Sequence, residues 1–259
     1  MFAATTFGAN GWLLEMGGLR LLVDPWLTGP LVFPPGAWLL RGDLPRSWPV
    51  PERLDLLLLT QGLADHCHRP SLELLDRDLP VLASPAAAAC VRRWGFRSVT
   101  TLRPGEQLDW PDGPDCLQIT ATAGAPVPQV ENGYLLRHGS GSLYLEPHGF
   151  CDPALPAQPL DALITPVVDL GLPLLGSFVK GQRVLPELLR RFTPRTVLAS
   201  TTGGDVRFSG ALVGLLRQSG SAAAAVELLR ASAGAATAQL IDPVPGQRYD
   251  LVVDAPLHG

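Results

Sequence analysis

Apolar residues fall into short runs along the chain, and these runs have the lengths of strands more often than of helices. Residues 12–16 and 19–23 flank Gly17-Gly18, an arrangement that predicts a tight β-hairpin. Residues 54–59 form an unbroken aliphatic run. Because a strand buried on both faces needs no polar side, this run predicts a central strand of a sheet.

The remaining pattern alternates between strand and helix periods. Pro70 suits the first turn of a helix, and Ser84-Pro85 suits a cap followed by a helix start. We expect helices near residues 70–76, 85–94, 182–192, 210–218 and 222–231, and further strands near 80–83, 98–102, 117–123, 134–138, 142–145, 160–165 and 196–199. This order favours an α/β fold of four layers, an αββα sandwich, formed by residues 1–259 as a single domain.

Residues 26–51 break the pattern. The segment contains six prolines together with Trp26, Phe33, Trp38 and Trp48, a composition that disfavours a continuous sheet. We expect a long, partly apolar loop. Since its aromatic side chains need a surface to cover, we place it over the mouth of the pocket that contains His66.

Composition excludes several classes of protein. The chain has 259 residues, of which 46% are hydrophobic and 17% charged, which is sufficient for one large core. A net charge of −4 gives no basic surface for nucleic acid or an anionic membrane, and we expect a small-molecule substrate or ligand instead. Four widely spaced cysteines predict free thiols and a cytoplasmic location, and the sequence does not indicate an oligomeric state.

The chain has only five histidines, so any chemistry that depends on histidine must use these. Asp65-His66 lies just beyond the predicted strand at 54–59, and loops at the ends of such strands carry most functional groups in layered α/β folds. A carboxylate beside an imidazole can bind a divalent metal or act as a base with its orienting partner.

The wider segment has a more specific resemblance. Leu-Leu-Leu-Thr-Gln61-Gly-Leu63-Ala-Asp65-His66 resembles the strand and HxHxDH loop of the metallo-β-lactamase superfamily. Residues 12–26, including Asp24, are similar to the opening hairpin of the branch that contains lactonases acting on ascorbate 6-phosphate. Residues 142–149 resemble the strand that ends in the family's metal-bridging aspartate, and 197–205 fall where the final histidine loop belongs.

The resemblance implies a reduced set of metal ligands. Gln61 and Leu63 stand where the family has its first two histidines, and Ala125 falls about where a third belongs. The remaining candidate ligands are Asp65, His66, His148 and Asp205, with Thr201 or Thr202 as alternatives to the last. Such a set supports at most one zinc or other divalent ion, and no bound metal is the alternative.

Other candidates each have two interpretations. The resemblance implies that Asp24 orients the central loop rather than binding metal directly. Glu146 is a candidate base or an acceptor of backbone hydrogen bonds. His68 is a further ligand or, in the favoured interpretation, a partly exposed cap of the next helix, and we expect His138 and His258 at the surface.

Three functions remain at this point. The leading one is a hydrolase of a small ester, lactone or phosphorylated metabolite, with Asp65 as ligand or base beside a metal that lowers the pKa of a water. The second is an inactive pseudoenzyme that binds a small molecule or protein partner through the former pocket. The third is metal-free acid–base chemistry by Asp65, His66 and Glu146.

Overall fold

The computed structural model describes residues 1–259 except 112, 114, 174, 175, 201–205, 233, 235, 236 and 254–259. Its strands, in chain order, are β1 (Phe2–Gly8), β2 (Gly11–Met16), β3 (Leu19–Val23), β4 (Leu31–Val32), β5 (Arg41–Asp43), β6 (Leu56–Leu59), β7 (Val81–Ala83), β8 (Val99–Thr101), β9 (Gln107–Trp110), β10 (Leu117–Pro126), β11 (Val130–His138), β12 (Gly141–Leu145), β13 (Ala162–Pro166), β14 (Asp169–Leu172), β15 (Gly176–Lys180), β16 (Thr196–Ser200), β17 (Arg207–Ser209), β18 (Arg217–Ser219), β19 (Gln239–Ile241) and β20 (Arg248–Asp250). Its α-helices are α1 (Arg69–Leu72), α2 (Pro85–Arg93), α3 (Gly181–Phe192) and α4 (Ala222–Ala231).

Two seven-stranded sheets form the centre of the fold. The first has the order β20-β1-β2-β3-β6-β7-β8 and the second the order β19-β16-β13-β12-β11-β10-β9. In the first sheet, β3, β6, β7 and β8 run parallel to one another, so the carboxyl ends of β3 and β6 meet at one edge of this sheet. Two small three-stranded sheets, β15-β14-β18 and β17-β5-β4, lie outside this pair.

The core is divided into three layers by these sheets. Leu56 and Leu58 of β6 belong to the central cluster between the two sheets, whereas Leu57 and Leu59 belong to an outer cluster with α2. All four leucines are fully buried, as predicted for a strand covered on both faces. A third cluster joins α3 and α4 to the second sheet, which completes the predicted αββα arrangement.

Local sequence explains most of these elements. The hairpin of β2 and β3 turns at Gly17 and Gly18, which adopt φ values of 61° and 103° that glycine tolerates. Ser84 caps α2 by accepting a hydrogen bond from the Ala87 amide at 3.4 Å. None of the helices in the described part of the chain has both the length and the apolar character that a membrane crossing requires.

One of the predicted helices is wrong, and another is shorter than expected. Residues 210–218 do not form an α-helix: a short 3₁₀ turn, Val213–Leu215, is followed by β18, and nothing in this turn is buried. Without a buried face, periodicity alone does not stabilise a helix. Helix α1 is also shorter than predicted, since it ends at Leu72.

The segment 26–51 is less irregular than its proline content indicates. It contains β4 and β5, which pair with each other, and β5 also pairs with β17. Its prolines lie outside these two short strands, so no proline removes a hydrogen-bond donor from them. The expectation of a long loop over the whole of residues 26–51 is therefore wrong for these two short strands.

Candidate metal centre

Asp24 connects the ends of two parallel strands. It follows β3 directly, is 1% exposed and has φ 41°, a left-handed conformation that aspartate tolerates better than most residues. Its Oδ1 accepts a hydrogen bond from the Thr60 amide at 2.8 Å, and its Oδ2 accepts one from the Thr60 hydroxyl. Because Thr60 begins the loop after β6, Asp24 holds the start of the loop that carries Asp65 and His66.

His66 lies between two carboxylates inside the protein. The ring is fully buried, with Nδ1 2.8 Å from Asp24 Oδ2 and Nε2 3.3 Å from Asp65 Oδ2. The Asn10 amide nitrogen, in the turn between β1 and β2, lies 3.2 Å from the same Nε2. Asp24 therefore fixes the ring through Nδ1, and Nε2 faces Asp65.

The two carboxylates decide the charge of His66 in the metal-free protein. Burial lowers the pKa of His66, but the nearby charges of Asp65 and Asp24 outweigh it and raise this pKa from 6.5 to about 10. Burial raises the pKa of Asp24, whereas for Asp65 the positive His66 outweighs burial and lowers the pKa. The raised pKa favours a protonated His66 ring whose Nε2 faces Asp65 Oδ2, and a bound cation would neutralise the same carboxylate.

His148 approaches from the second sheet. It follows β12 by three residues, is 5% exposed, and its ring centre lies 5.2 Å from that of His66. The Gln61 amide nitrogen lies 2.8 Å from His148 Nδ1. Burial, together with the positive charge of His66, lowers the pKa of His148 from 6.5 to about 4, so this imidazole is neutral at pH 7.

Asp65, His66 and His148 form a convergent group. Each offers one ligand atom, and these atoms lie within 4.8 Å of one another. Within the part of the chain that the structure describes, Asp65 Oδ1 is buried and has no hydrogen-bond partner. A buried polar atom without a partner is rare in folded proteins and indicates a missing ligand or water. Two imidazoles and a carboxylate are the donors of three-ligand zinc sites.

Glu146 shapes the turn that carries His148. Its side chain is fully buried, Oε1 accepts from the Ala125 amide at 3.1 Å, and Oε2 accepts from the amides of His148 at 3.1 Å and Phe150 at 2.6 Å. Burial raises the pKa of Glu146 from 4.5 to about 7 against the effect of these three donors. These contacts favour a positioning role, and a role of Glu146 as catalytic base stays a prediction.

The turn at 146–150 is also fixed against α3. His148 O accepts a hydrogen bond from the Lys180 amide at 2.8 Å. Gly149 has φ 74°, and a Cβ at this position would lie 2.5 Å from the Gly181 nitrogen. Only glycine fits this close approach, so the position of His148 depends on backbone packing between the turn and the start of α3.

Gln61, Leu63 and Ala125, which stand where the family has histidines, make other contacts in this protein. Gln61 is fully buried and contacts His148, and the Leu63 carbonyl accepts from the amides of His66 at 3.0 Å and Cys67 at 2.7 Å. Ala125 is bound to Glu146 through its amide. Asp205, Thr201, Thr202 and His258, which the sequence also proposed, lie outside the described residues.

The interpretations of two other histidines are corrected. His68 occupies the N-cap position of α1 but is 3% exposed and makes no cap hydrogen bond to the backbone. Its ring instead joins the Ser71 hydroxyl at 2.9 Å and the Pro30 carbonyl at 3.2 Å. His138 is not a surface residue either, because its side chain is 4% exposed and pairs with the exposed Asp115 at 3.0 Å.

The tryptophans of segment 26–51 lie in different environments. Trp26 is fully buried, and its ring centre lies 6.0 Å from that of His68. Trp48 packs against Phe7, and Trp38 is 67% exposed. The first residues of the segment therefore border the helix that follows the candidate site, whereas a lid formed by Trp38 and Trp48 stays a prediction.

Two residues of the site were not identified from the sequence. Asn10 is 56 positions away from its partner His66, and Thr60 is six positions away from the same residue. Neither residue belongs to a sequence motif with a characteristic spacing. The available signal for Thr60 is its place at the end of a buried strand, and no sequence signal points to Asn10.

In the metal-free protein, Glu146 and His148 are expected to make opposite contributions to the pH dependence of stability. The raised pKa of Glu146 makes the folded state bind more protons, so its contribution falls as the pH rises from 4.5 to about 7. The lowered pKa of His148 stabilises the fold above pH 6.5, and this contribution is lost as the pH falls to about 4.

Urea unfolding of chelator-treated Glu146→Gln and His148→Gln variants between pH 4 and 7 tests this. Relative to the unsubstituted protein, Glu146→Gln should lose stability as the pH falls, and His148→Gln should gain it. Parallel pH profiles for all three proteins would contradict the opposing contributions.

Comparisons with known proteins agree with this fold. A model of the beta-lactamase superfamily domain matches residues 4–200. Isothiocyanate hydrolase from Delia radicum gut bacteria superposes with a TM-score of 0.70 at 17% identity, covering 97% of this chain and all of that one (100%). Igni18, a metallo hydrolase from the archaeon Ignicoccus hospitalis, gives a TM-score of 0.61 at 15% identity, covering 96% of this chain and 97% of that chain.

A curated relative matches over a shorter stretch. Cytidine monophosphate-N-acetylneuraminic acid hydroxylase from Asterias rubens is 36% identical over 74 residues. The match covers 26% of this chain and 11% of that protein, so the chain spans only a small fraction of this relative. With a family model that covers residues 4–200 and an αββα architecture shared with these structures, the chain belongs to the metallo-β-lactamase superfamily.

Proposed function

We propose that the protein is a hydrolase that acts on a small ester, lactone or phosphorylated metabolite with the help of one divalent metal ion, zinc or a similar cation. The observation that carries the proposal is the convergence of Asp65, His66 and His148, whose ligand atoms lie within 4.8 Å of one another. A lactone is the substrate class that agrees best with the resemblance of residues 12–26 to the lactonase branch.

The donor set fits one metal ion and no second one. Asp65 offers a buried oxygen that has no partner among the described residues, and Asp24 holds His66 through Nδ1, leaving Nε2 for a cation. A histidine held by a carboxylate in this way is the usual arrangement at zinc sites. Gln61, Leu63 and Ala125 offer no imidazole for a second ion.

Gln61 contacts Nδ1 of His148 and so influences which nitrogen of this ring carries the proton. In the structure its amide nitrogen faces His148 Nδ1, and its Oε1 is buried without a partner among the described residues. A 180° rotation of this amide would let Oε1 accept a hydrogen bond from a proton on Nδ1, and the amide nitrogen would take the buried position that Oε1 now occupies. His148 Nε2 would then keep the lone pair that metal binding requires.

The chain's own residues supply the remaining functions of the site. A bound divalent ion would lower the pKa of a coordinated water and make it a nucleophile near neutral pH. Asp65 and the two histidines would hold the cation, Asp24 orients His66, and Glu146 fixes the backbone that follows Pro147 through the amides of His148 and Phe150. His66 and His148 are buried, whereas the Asp65 side chain is 19% exposed, so the site is open to solvent on the Asp65 side.

A second candidate is a pseudoenzyme that binds a small molecule without hydrolysing it. The observation in its favour is that Gln61 and Ala125, at two lost ligand positions, are engaged in hydrogen bonds with His148 and Glu146. The Gln61 side chain thus takes a new role as a hydrogen-bond partner of a candidate ligand, whereas the Ala125 contact is made by its backbone. The hydrolase and the pseudoenzyme would share this structure, and they differ in whether a bound molecule is hydrolysed.

Hydrolysis assays on a panel of small esters, lactones and phosphate monoesters distinguish them. The purified protein with its metal should hydrolyse at least one class, and Asp65→Asn should lower kcat/KM by about a hundredfold or more, since it removes a charged ligand. Asp109→Asn, a change at an exposed position of β9, is the matched control and should leave the rate unchanged. Absence of turnover by metal-loaded protein on the whole panel would favour the pseudoenzyme.

A further inference from the structure

The chain contains a single lysine, and this residue lies beside the candidate metal centre. Among 20 Lys and Arg residues, only position 180 is a lysine. Lys180 is exposed and ends β15, directly before α3. An ammonium is a compact charge with rotatable donors, unlike the planar guanidinium of the arginines that make up the rest of these 20 residues.

Lys180 lines a cavity of about 460 Å³. The other lining side chains are largely apolar and include Pro126, Val127, Phe150, Leu172 and Phe178. No carboxylate is among the described residues that line it. This volume lies within the range of small-molecule sites, which are mostly apolar with a few polar groups that orient the ligand.

The charge of Lys180 is not neutralised by its neighbour in the sheet. Asp169 is its register partner in the β14–β15 pair. Arg183 engages both oxygens of that carboxylate, through Nε at 2.7 Å and the backbone amide at 3.3 Å. Lys180 forms no ion pair with any residue that the structure describes, so its ammonium is available to an anion from outside.

The cavity and the metal centre share one segment of backbone. Ala125 and Phe150 both line the cavity, and the amides of both donate to Glu146. The Lys180 amide donates to the carbonyl of His148 at 2.8 Å. A molecule in this cavity therefore contacts the turn that positions a metal ligand.

We propose that this cavity binds the non-reacting part of the substrate, that this part combines a hydrocarbon body with one anionic group, and that Lys180 pairs with the anion. The inference rests on the proposed function and narrows its substrate class to small esters or lactones that carry such a group. The apolar walls bury the hydrocarbon body, and the single ammonium sets its orientation.

Phenylacetate and its neutral analogue phenylacetamide are suitable probes, because they differ in charge and little in shape. Their affinities are measured by calorimetry on chelator-treated protein, so that a metal cannot bind the carboxylate. Lys180→Gln should weaken phenylacetate binding by about three- to tenfold and leave phenylacetamide unchanged, and Lys180→Arg should retain most of the affinity. Val127→Trp, which fills the cavity, should weaken both probes.

The single lysine also allows a chemical test of position. Lys180 and the terminal amine are the primary amines of the sequence, so the amide products of an amine-reactive acylating reagent report on these two positions, and phenylacetate should slow the reaction at Lys180 alone. Equal affinity for the two probes, no phenylacetate binding, or no effect of Lys180→Gln would overturn the inference. Metal uptake is measured separately. If Lys180→Gln weakens phenylacetate binding but the protein binds no metal, only the proposed function is rejected. If the protein binds metal but Lys180→Gln has no effect on phenylacetate binding, only this inference is rejected.

Discussion

Replacing Asp24 with asparagine is expected to lower the affinity for a divalent metal by about 10- to 100-fold without unfolding the protein. The Asp24 carboxylate lies 2.8 Å from His66 Nδ1 and keeps the proton on that nitrogen. Asparagine has nearly the same shape and also tolerates the left-handed backbone at this position, where φ is 41°. Its amide nitrogen, however, donates to Nδ1 and moves the ring proton to Nε2, the nitrogen that a metal requires.

The matched control is Asp115→Asn, which changes the carboxylate that pairs with His138. Asp115 is 80% exposed and lies 3.0 Å from His138 Nε2, so its loss should leave metal binding unchanged and stability within about 1 kcal/mol. Competition with a chromophoric chelator measures the affinities. Equal affinities for Asp24→Asn and the unsubstituted protein would show that Asp24 does not set the tautomer of His66.

Replacing His148 with alanine is expected to reduce metal affinity by about a hundredfold or more, because it removes one of three protein ligands. The fold should survive, since the strand β12 and the hydrogen bonds of Glu146 to backbone amides remain. The cost in stability is the unpaired amide of Gln61, about 1–3 kcal/mol.

Two companion variants separate ligand loss from general disturbance. His148→Asp restores the residue type that the superfamily resemblance places at this position, and it should recover part of the metal affinity. His138→Ala removes a histidine that belongs to another pair and should not alter metal uptake. Metal binding that persists in His148→Ala at the original affinity would place the ion elsewhere.

The layered architecture was predictable because it follows from local patterns. The leucines of β6 alternate between two clusters, and glycines at the β2–β3 turn supply the required positive φ. Residues 210–218 were assigned the wrong structure because their spacing resembles that of a helix, while only tertiary contacts show that no core lies beneath them.

The candidate site was predictable only in part. Asp65, His66 and His148 come from a resemblance to a known loop and strand end, and the structure brings them together. The hydrogen bond of Gln61 to His148 and the approach of Asn10 to His66 connect residues 87 and 56 positions apart. Such contacts depend on how the two sheets face each other, which no local pattern contains.

The central claim is that Asp65, His66 and His148 hold one metal ion, and the most direct measurement is the metal content per chain. Elemental analysis of protein purified without chelator, then after zinc loading and dialysis, should give one ion per chain for the unsubstituted protein. The Asp65→Asn and His148→Ala variants should give close to none under the same dialysis. Two ions per chain, none after loading, or one ion retained by both variants would contradict this account.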